Sequence, residues 1–502
     1  MVPELRGHSR GAPRGDTLPP RPGHHPRDQG IAPRPTAELP GPGNRPPPLL
    51  PHPAMNARGP AARTEQEIAE GPNRTSFADP DEEFIELVRV HADAVHVFLH
   101  RISGSPKVAD TAGQDVFLEA RATLRTQCAE KRPDPLPRPW LMALALKRWR
   151  ALASPSAVAE TVPQDAEGQL CAALAGLPER IRTAVVLRHV VQLSYAEAAH
   201  VQGCPAGSVK AQVSRGLSEL RRRLAATADG PRDWLPSFPD PVRALPLLGA
   251  AVRTDFAAQT LERAGIPSAD YDSYVREQSP AGGLFVAFGR GAVTGAALHT
   301  QRVTAEVFET THRARTGRSP IRTSLSPAGL QTLLRTGTVR NLRVDLSGLD
   351  PQERAVLEAV RAIPNGQLRP VSWIARTAHL PADGASATVL RALARNPFPV
   401  LVPCHRATHD CGTPCDASYP SHTGDILRAA EGMDLPRLDG FTRRGLRFVG
   451  STATHAYCHP TCPRSEDRPE HQVFFSGAGQ ARGAGFAACP DCTPAVDARQ
   501  EV

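Results

Sequence analysis

Residues 177–224 read LPERIRTAVVLRHVVQLSYAEAAHVQGCPAGSVKAQVSRGLSELRRRL, and this stretch decides the fold of the first half of the chain. Breaks at Leu177-Pro178, Leu193-Ser194 and Gly203-Cys204-Pro205 divide it into helical segments, because proline lacks a backbone donor and glycine loosens the chain. Ser194 is a suitable N-cap for a helix over 195–201. Gly203-Cys204-Pro205 then makes a sharp turn, and Ser208 opens a second helix. One side of that helix carries Lys210, Gln212, Ser214 and Arg215, and the other carries Val209, Val213, Leu217 and Leu220. Two helices joined this way lay the second into the DNA major groove. Ser208, Lys210, Gln212 and Arg215 would then lie near base edges, with Arg221, Arg222 and Arg223 along the phosphates. An ordinary helical hairpin with a solvated basic end fits the same residues, so the pattern alone leaves both readings open.

Upstream, DPDEEFIELVRVHADAVHVFLHRI (79–102) repeats apolar residues at helical spacing, with Asp79 or Asp81 as cap and an acidic first turn. Further helices are expected around QDVFLEARATL (114–124) and PRPWLMALALKRWRALA (137–153), followed by a loop at 154–166. Residues 1–75 are rich in Pro, Gly, Arg and His without apolar periodicity, which predicts a disordered leader; Met55 within it is an alternative start. Downstream of a Pro-rich linker at 227–245, GLFVAFGRGAVTGAALH (283–299) reads as a hairpin around Gly-Arg-Gly. A helix at 304–315, a strand at VRNLRVDL (339–346) and helices at 351–363, 371–380 and 385–396 follow. No internal repeat is visible.

A length of 502 residues exceeds what one core can organise, and 51 prolines with 5% aromatics mean that part of the chain is not packed interior. Fifty-nine Lys plus Arg against 51 Asp plus Glu give +8, a modest excess that suits nucleic acid. No apolar run approaches the ~18 residues of a membrane span, and the N-terminus lacks a signal peptide's apolar segment. Ten cysteines, mostly in the last hundred residues, read as reduced, metal-binding or nucleophilic thiols in a cytoplasmic protein.

The 177–224 stretch resembles region 4 of extracytoplasmic-function sigma factors, and the three upstream helical segments resemble region 2 of that family. The resemblance covers roughly 80–226. It implies that the QDVFLEA helix meets the clamp of core RNA polymerase and that 140–150 opens and reads promoter DNA. Trp140 and Trp149, with Lys147, Arg148 and Arg150, would stack on unpaired bases; packing into a core is the alternative for the tryptophans.

NPFPVLVPCHRAT (396–408) sets a cysteine behind an apolar segment, expected to be a buried strand, and directly before His405 and Arg406. Such neighbours favour the nucleophilic thiolate, whereas a cysteine in an apolar run is commonly inert packing. Pro-Cys-His-Arg, together with AVLEAVRAIPNGQ, WIARTAHLP, Asn396-Pro397 and Glu431-Gly432, resembles O6-alkylguanine-DNA alkyltransferases over about 280–450. The resemblance implies Cys404 as single-use alkyl acceptor, His405 and Glu431 as the groups that draw off its proton, and Asn396 as their brace. Val371 stands at the family's nucleotide-flipping tyrosine and Ala387 at its stack-filling arginine. Cys411, Cys415, Tyr419 and Gly424 are further departures.

Cys458-His459-Pro460-Thr461-Cys462 and Cys489-Pro490-Asp491-Cys492, 26 residues apart, form a CxxxC and CxxC set suited to one tetrahedral Zn2+. Two disulfides are the alternative, and His459 is expected to support or lie outside the ligand set. RGLRFVGSTATHAYCHPTCP and VFFSGAGQARGAGFAACPDC are similar to the Ada metal-binding domain. This implies Cys458 as methyl acceptor from a DNA methylphosphotriester, besides its role as ligand with Cys462, Cys489 and Cys492.

The expected architecture is multidomain. All-α sigma-like helical domains (80–153 and 167–226) precede an α+β alkyltransferase domain of small sheet (280–350) and winged-helix-like part (351–450), then a small zinc-stabilised α/β domain (451–497). The expected function is a sigma-like transcription factor coupled to an alkyl acceptor, with alkylated and promoter DNA and core RNA polymerase as partners. The alternatives are a repair alkyltransferase localised by its N-terminal helices, and a transcription factor carrying a non-catalytic alkyltransferase domain.

Overall fold

The computed structural model describes residues 79–126, 138–152, 166–227, 240–249, 254–337, 342–420, 422–465 and 468–494. The leader, the 154–165 loop and residues 228–239 of the linker lie outside these.

Helix α1 (Pro80–Ser103) starts where Asp79 accepts from the Asp81 amide and Pro80 occupies the first turn, and it ends at Gly104 in the left-handed region. Its face of Phe84, Val88, Val95, Phe98, Leu99 and Ile102 is fully buried. α2 (Pro106–Thr126) and α3 (Arg138–Leu152) pack against it. α4 (Ala166–Ala175), α5 (Glu179–Val185, continued by a π turn Val186–Val190), α6 (Tyr195–Gln202) and α7 (Ala206–Thr227) complete one apolar core with them.

The expected linker does more than connect. Asp240 caps a short helix, α8 (Pro241–Ala244), that runs into a 3-10 turn (Leu245–Gly249), and Leu245 and Leu248 are buried in the helical core. A further helix, α9 (Phe256–Arg263), follows. Phe256 is fully buried, 4.7 Å from the His96 ring and close against Gly113 of α2.

Among the described residues, the next layer is a sheet of order β3-β2-β1-β4, formed by β1 (Asp272–Ser279), β2 (Gly282–Gly289), β3 (Ala292–Leu298) and β4 (Pro320–Arg322). β2 and β3 form the expected hairpin, turning at Arg290 and Gly291, both at positive φ. The sheet begins at Asp272, upstream of the expected 280. DSYVREQS is so polar that its alternation is faint, yet Tyr274 and Val275 are buried. Of the strand expected at 339–346, the described residues 342–346 contribute a bridge between Val344 and Val293. α10 (Ala305–Thr316) meets α1 through charges: Arg89 pairs with Glu86 and Glu309, and Arg313 with Glu82 and Glu86.

α11 (Leu330–Thr336) leads to the winged-helix-like part: α12 (Pro351–Arg361), β5 (Arg369–Pro370), α13 (Val371–Thr377), α14 (Ala385–Ala394), β6 (Ala407–Thr408), α15 (Thr423–Ala430) and α16 (Leu435–Arg443). β5 and β6 pair in parallel, Arg369 opposite Ala407. The last unit is a sheet of order β10-β8-β7-β9 with one short helix: β7 (Phe448–Ser451), β8 (Ala456–Cys458), β9 (Gln472–Phe475), α17 (Ala478–Gly483) and β10 (Ala487–Ala488). No helix among the described residues is long and apolar enough to cross a membrane.

Candidate functional site

Three constellations carry the chemistry. In the helix-turn-helix, the Ser194 side chain accepts from the Glu197 amide while Glu197 accepts from the Ser194 amide, a reciprocal cap. Gly203 ends α6 with φ 62°, the left-handed turn glycine permits. α7 opens at Ala206, two residues before the expected Ser208, and the Pro205 carbonyl just ahead of it accepts from the Ser208 and Val209 amides. Ser208, Lys210, Arg215, Arg221 and Arg222 are exposed, and Gln212 is half-buried. Val209, Val213 and Leu220 are buried beneath. Arg221 pairs with Asp240 at 3.1 Å, and Arg222 and Arg223 share Glu219 at 2.6 and 2.7 Å, so all three of the expected phosphate contacts are held by carboxylates.

Trp149 is not a free stacking platform. It is buried in the helical core with the Arg182 guanidinium over its ring, and Trp140 packs half-buried against the same core. Arg148 pairs with Glu119 and Arg150 with Glu179.

At the thiol site the chain before Cys404 is a tight turn rather than the expected strand: the Val402 amide bonds the Phe398 carbonyl, and Val400 has φ 71°. Cys404 opens a 3-10 turn and is fully buried. Asn396 donates to the Cys404 sulfur (2.6 Å) and to the Val402 carbonyl (3.2 Å), while its own carbonyl accepts from the Phe398 amide. His405 Nε2 meets Glu431 at 2.7 Å, and the same carboxylate takes Arg406 at 2.8 Å. Burial pushes the Cys404 thiol above its ordinary range and the His405 imidazole below its own. Burial also works to raise Glu431, but hydrogen bonds and charge from His405 and Arg406 prevail and hold it down at about 2.

The four groups assigned to the acceptor site thus lie together, with a fifth that the residue pattern did not assign. The Tyr419 hydroxyl sits 3.4 Å from His405 Nδ1 and accepts from the Val400 amide at 3.3 Å. A tyrosine 15 residues after the nucleophile, among small loop residues, was the available signal. Val371 is buried in the domain core, whereas Ala387 is exposed on α14.

In the C-terminal unit the sulfurs of Cys458, Cys462, Cys489 and Cys492 all lie within 4.8 Å of one another. All four are buried free thiols. Four mutually close sulfurs in a small domain with few apolar residues fit a tetrahedral zinc. The amide of His459 bonds the Cys492 sulfur at 3.4 Å; its ring is buried against Phe448 with Nε2 unbonded, outside the cluster.

Residues 168–220 match the family model of Sigma-70, region 4. Residues 351–433 match the 6-O-methylguanine DNA methyltransferase DNA binding domain, and 442–495 the metal binding domain of Ada. A methylated-DNA–protein-cysteine methyltransferase of Methanothermobacter thermautotrophicus is 36% identical over 69 residues, 14% of this chain and 37% of that protein. The ECF RNA polymerase sigma factor SigE of Mycolicibacterium smegmatis is 29% identical over 161 residues, 28% of this chain and 61% of that protein. The chain therefore spans less than two thirds of the length of either relative. Among solved structures, the sigma factor RpoE from Bartonella quintana, in complex with the anti-sigma factor NepR, is similar at 21% identity and TM-score 0.25, over 29% of this chain and 98% of that one. The Mycobacterium tuberculosis O6-methylguanine methyltransferase is similar at 24% identity and TM-score 0.25, over 32% of this chain and 92% of that one. Separate segments of this one polypeptide thus match the family models of Sigma-70 region 4, the 6-O-methylguanine DNA methyltransferase DNA-binding domain and the metal-binding domain of Ada.

Proposed function

We propose that the chain is a sigma-like transcription factor in which alkyl transfer from damaged DNA to a cysteine governs promoter engagement. DNA, both promoter and alkylated, and core RNA polymerase are the partners. The working division is 80–153 and 167–226 for the promoter-reading half, 280–450 for the alkyl acceptor and 451–497 for the zinc unit. The observation that carries the reading is the grouping of Asn396, Cys404, His405 and Glu431 in a chain that also holds an exposed, basic helix-turn-helix.

At the acceptor, the Cys404 sulfur attacks the alkyl carbon on guanine O6, the carbon–oxygen bond breaks, and a thioether forms. The thiol proton leaves toward His405, whose Nδ1 has the Tyr419 hydroxyl beside it, and the guanine gains one proton in balance. Glu431 fixes the His405 ring from its other nitrogen. With no turnover, each molecule reports one lesion. Cys458, Cys462, Cys489 and Cys492 would hold one zinc ion, which when bound keeps their sulfurs deprotonated. Cys458 is the second acceptor in this reading. Its 2% exposure supports a rival role for the four cysteines as a purely structural metal site.

The test incubates the full chain with DNA carrying labelled methyl groups, beside Cys404→Ala and Cys458→Ala proteins, and maps the added mass. Promoter-specific initiation with core polymerase is measured before and after. A methyl adduct on either cysteine with altered initiation is expected. An unmodified protein would leave a transcription factor without acceptor chemistry, and no promoter-specific start would leave a repair protein.

A further inference from the structure

Two cavities in the 280–450 part share one wall residue, Arg361, at the end of α12. The larger, about 720 Å3, is also lined by Arg290 of the β2–β3 turn and by Arg343, next to the Val344 bridge, over a floor of Gly289 and Ala292. The smaller, about 530 Å3, adds Arg335 from the last turn of α11. Four arginines from four separate stretches of chain thus border the pair. Arg290, Arg335 and Arg343 are exposed, and Arg361 is half-buried.

Where these groups are tied down, the partner is backbone. Arg361 donates to the Leu342 carbonyl at 3.2 Å and Arg290 to the Ala269 carbonyl at 3.4 Å. The Arg343 carbonyl accepts from the Val293 amide at 2.8 Å, which fixes where its side chain starts. Such bonds aim a guanidinium and leave its charge intact. Among the described residues no carboxylate lies within ion-pair distance of any of the four. The carboxylates on the cavity walls have other partners: Asp345 accepts from the Ser347 amide and hydroxyl at 3.0 and 2.6 Å, and Glu431 is held by His405 and Arg406. Glu358, one turn before Arg361, offsets part of that residue's charge. Cations remain in excess.

Like charges gathered in a recess repel one another and focus a positive field into it, which an anion relieves. The planar arginine fork matches the oxygens of a phosphate. One free phosphate would answer one recess, whereas cations spread over two suit a repeating polyanion. We infer that Arg290, Arg343, Arg361 and Arg335 form a phosphate track for a DNA backbone, separate from the helix-turn-helix at 194–223. It holds DNA by charge and reads no bases. His405 and Glu431 line the smaller cavity too, which sets the track beside the acceptor group. The inference goes beyond the proposed function and does not depend on transfer at Cys404.

The test measures binding of the full chain to a lesion-free random duplex and to the matching single strand, by fluorescence anisotropy from about 50 to 200 mM salt. Each phosphate contact adds about 0.9 to the slope of log affinity against log salt for a duplex, and about 0.7 for a single strand. Arg335→Gln and Arg343→Gln should each lower the slope by that amount, and the two combined with Arg361→Gln by about 2–3. Arg343→Lys should keep it. The losses should persist in a Lys210→Ala, Arg215→Ala background, where the helix-turn-helix contacts are weakened. An unchanged slope in the triple variant, losses that vanish in that background, or failure to bind either form of DNA would overturn the track. Inorganic phosphate and a deoxynucleoside monophosphate are titrated in parallel. If the triple variant loses these and keeps its DNA slope, the recess is a free-anion site and the inference fails. Should Arg361→Gln not fold, the Arg335→Gln, Arg343→Gln pair, both exposed positions, decides alone.

Discussion

Arg263 at the end of α9 donates to Asp115 at 2.7 Å and to Gln114 at 2.8 Å, joining positions 148 residues apart. The acceptors open QDVFLEA, so the segment after the helix-turn-helix lies on the helix that the sigma resemblance assigns to polymerase. Phe256 anchors the same contact while the Arg263 pair is partly exposed. Phe256→Ala is expected to cost about 3–5 kcal/mol and Arg263→Ala less than about 1 kcal/mol. Urea unfolding of the two variants checks this, and amide exchange in 106–126 should rise in Phe256→Ala.

Thiol reactivity should divide sharply. Cys411 is exposed and hydrogen-bonded with Thr413, which lowers its pKa, whereas burial raises that of Cys404. Iodoacetamide at neutral pH followed by peptide mapping should label Cys411 within minutes and leave Cys404 unmodified until denaturant is added. Tyr419→Phe should leave this order unchanged while slowing any alkyl transfer to Cys404, because the hydroxyl that meets His405 is gone.

Acid stability has an identifiable source. Glu431 is held at about 2 in the folded chain against an ordinary 4.5. Its contribution is therefore complete above the unfolded value and lost as pH falls from about 4.5 through about 2. A shift of that size corresponds to an upper bound of about 3 kcal/mol. Glu431→Gln should flatten the stability-versus-pH curve in that window and lower stability at pH 7, measured by urea midpoints across pH.

Gly216 faces α5, where an added Cβ would stand 2.5 Å from Val185 Cγ2 and 2.9 Å from Ile181 Cγ2. Gly216→Ala should therefore destabilise by about 1–3 kcal/mol, although alanine is the better helix former by about 1 kcal/mol. Thermal unfolding and promoter binding should both weaken.

Helices with strong caps and apolar stripes were legible in the residues: Ser194 caps as expected, and of Asp79 and Asp81 it is Asp79 that caps α1. The grouping around Cys404 was legible because Pro-Cys-His-Arg and Glu431 are motif residues, and that of the four cysteines because their spacing implies one centre. What escaped was set by distant partners. β1 is polar along much of its length and becomes a strand by pairing with β2 and β4. Residues 339–346 alternate well, yet the bridge to Val293 is all the pairing found there among the described residues. Trp149 could be weighed only once Arg182 and the core around it were in place.

Along α1, the joint with α10 and β4 is built from Glu82, Glu86 and Arg89 against Arg313, Ser319 and Glu309, with Ile321 as the apolar exception. Groups of this kind can trade each other for water. If the halves part to let the helices reach a promoter, the newly bared surfaces rehydrate rather than stick, and the chain stays free of aggregation in the opened form as in the closed one.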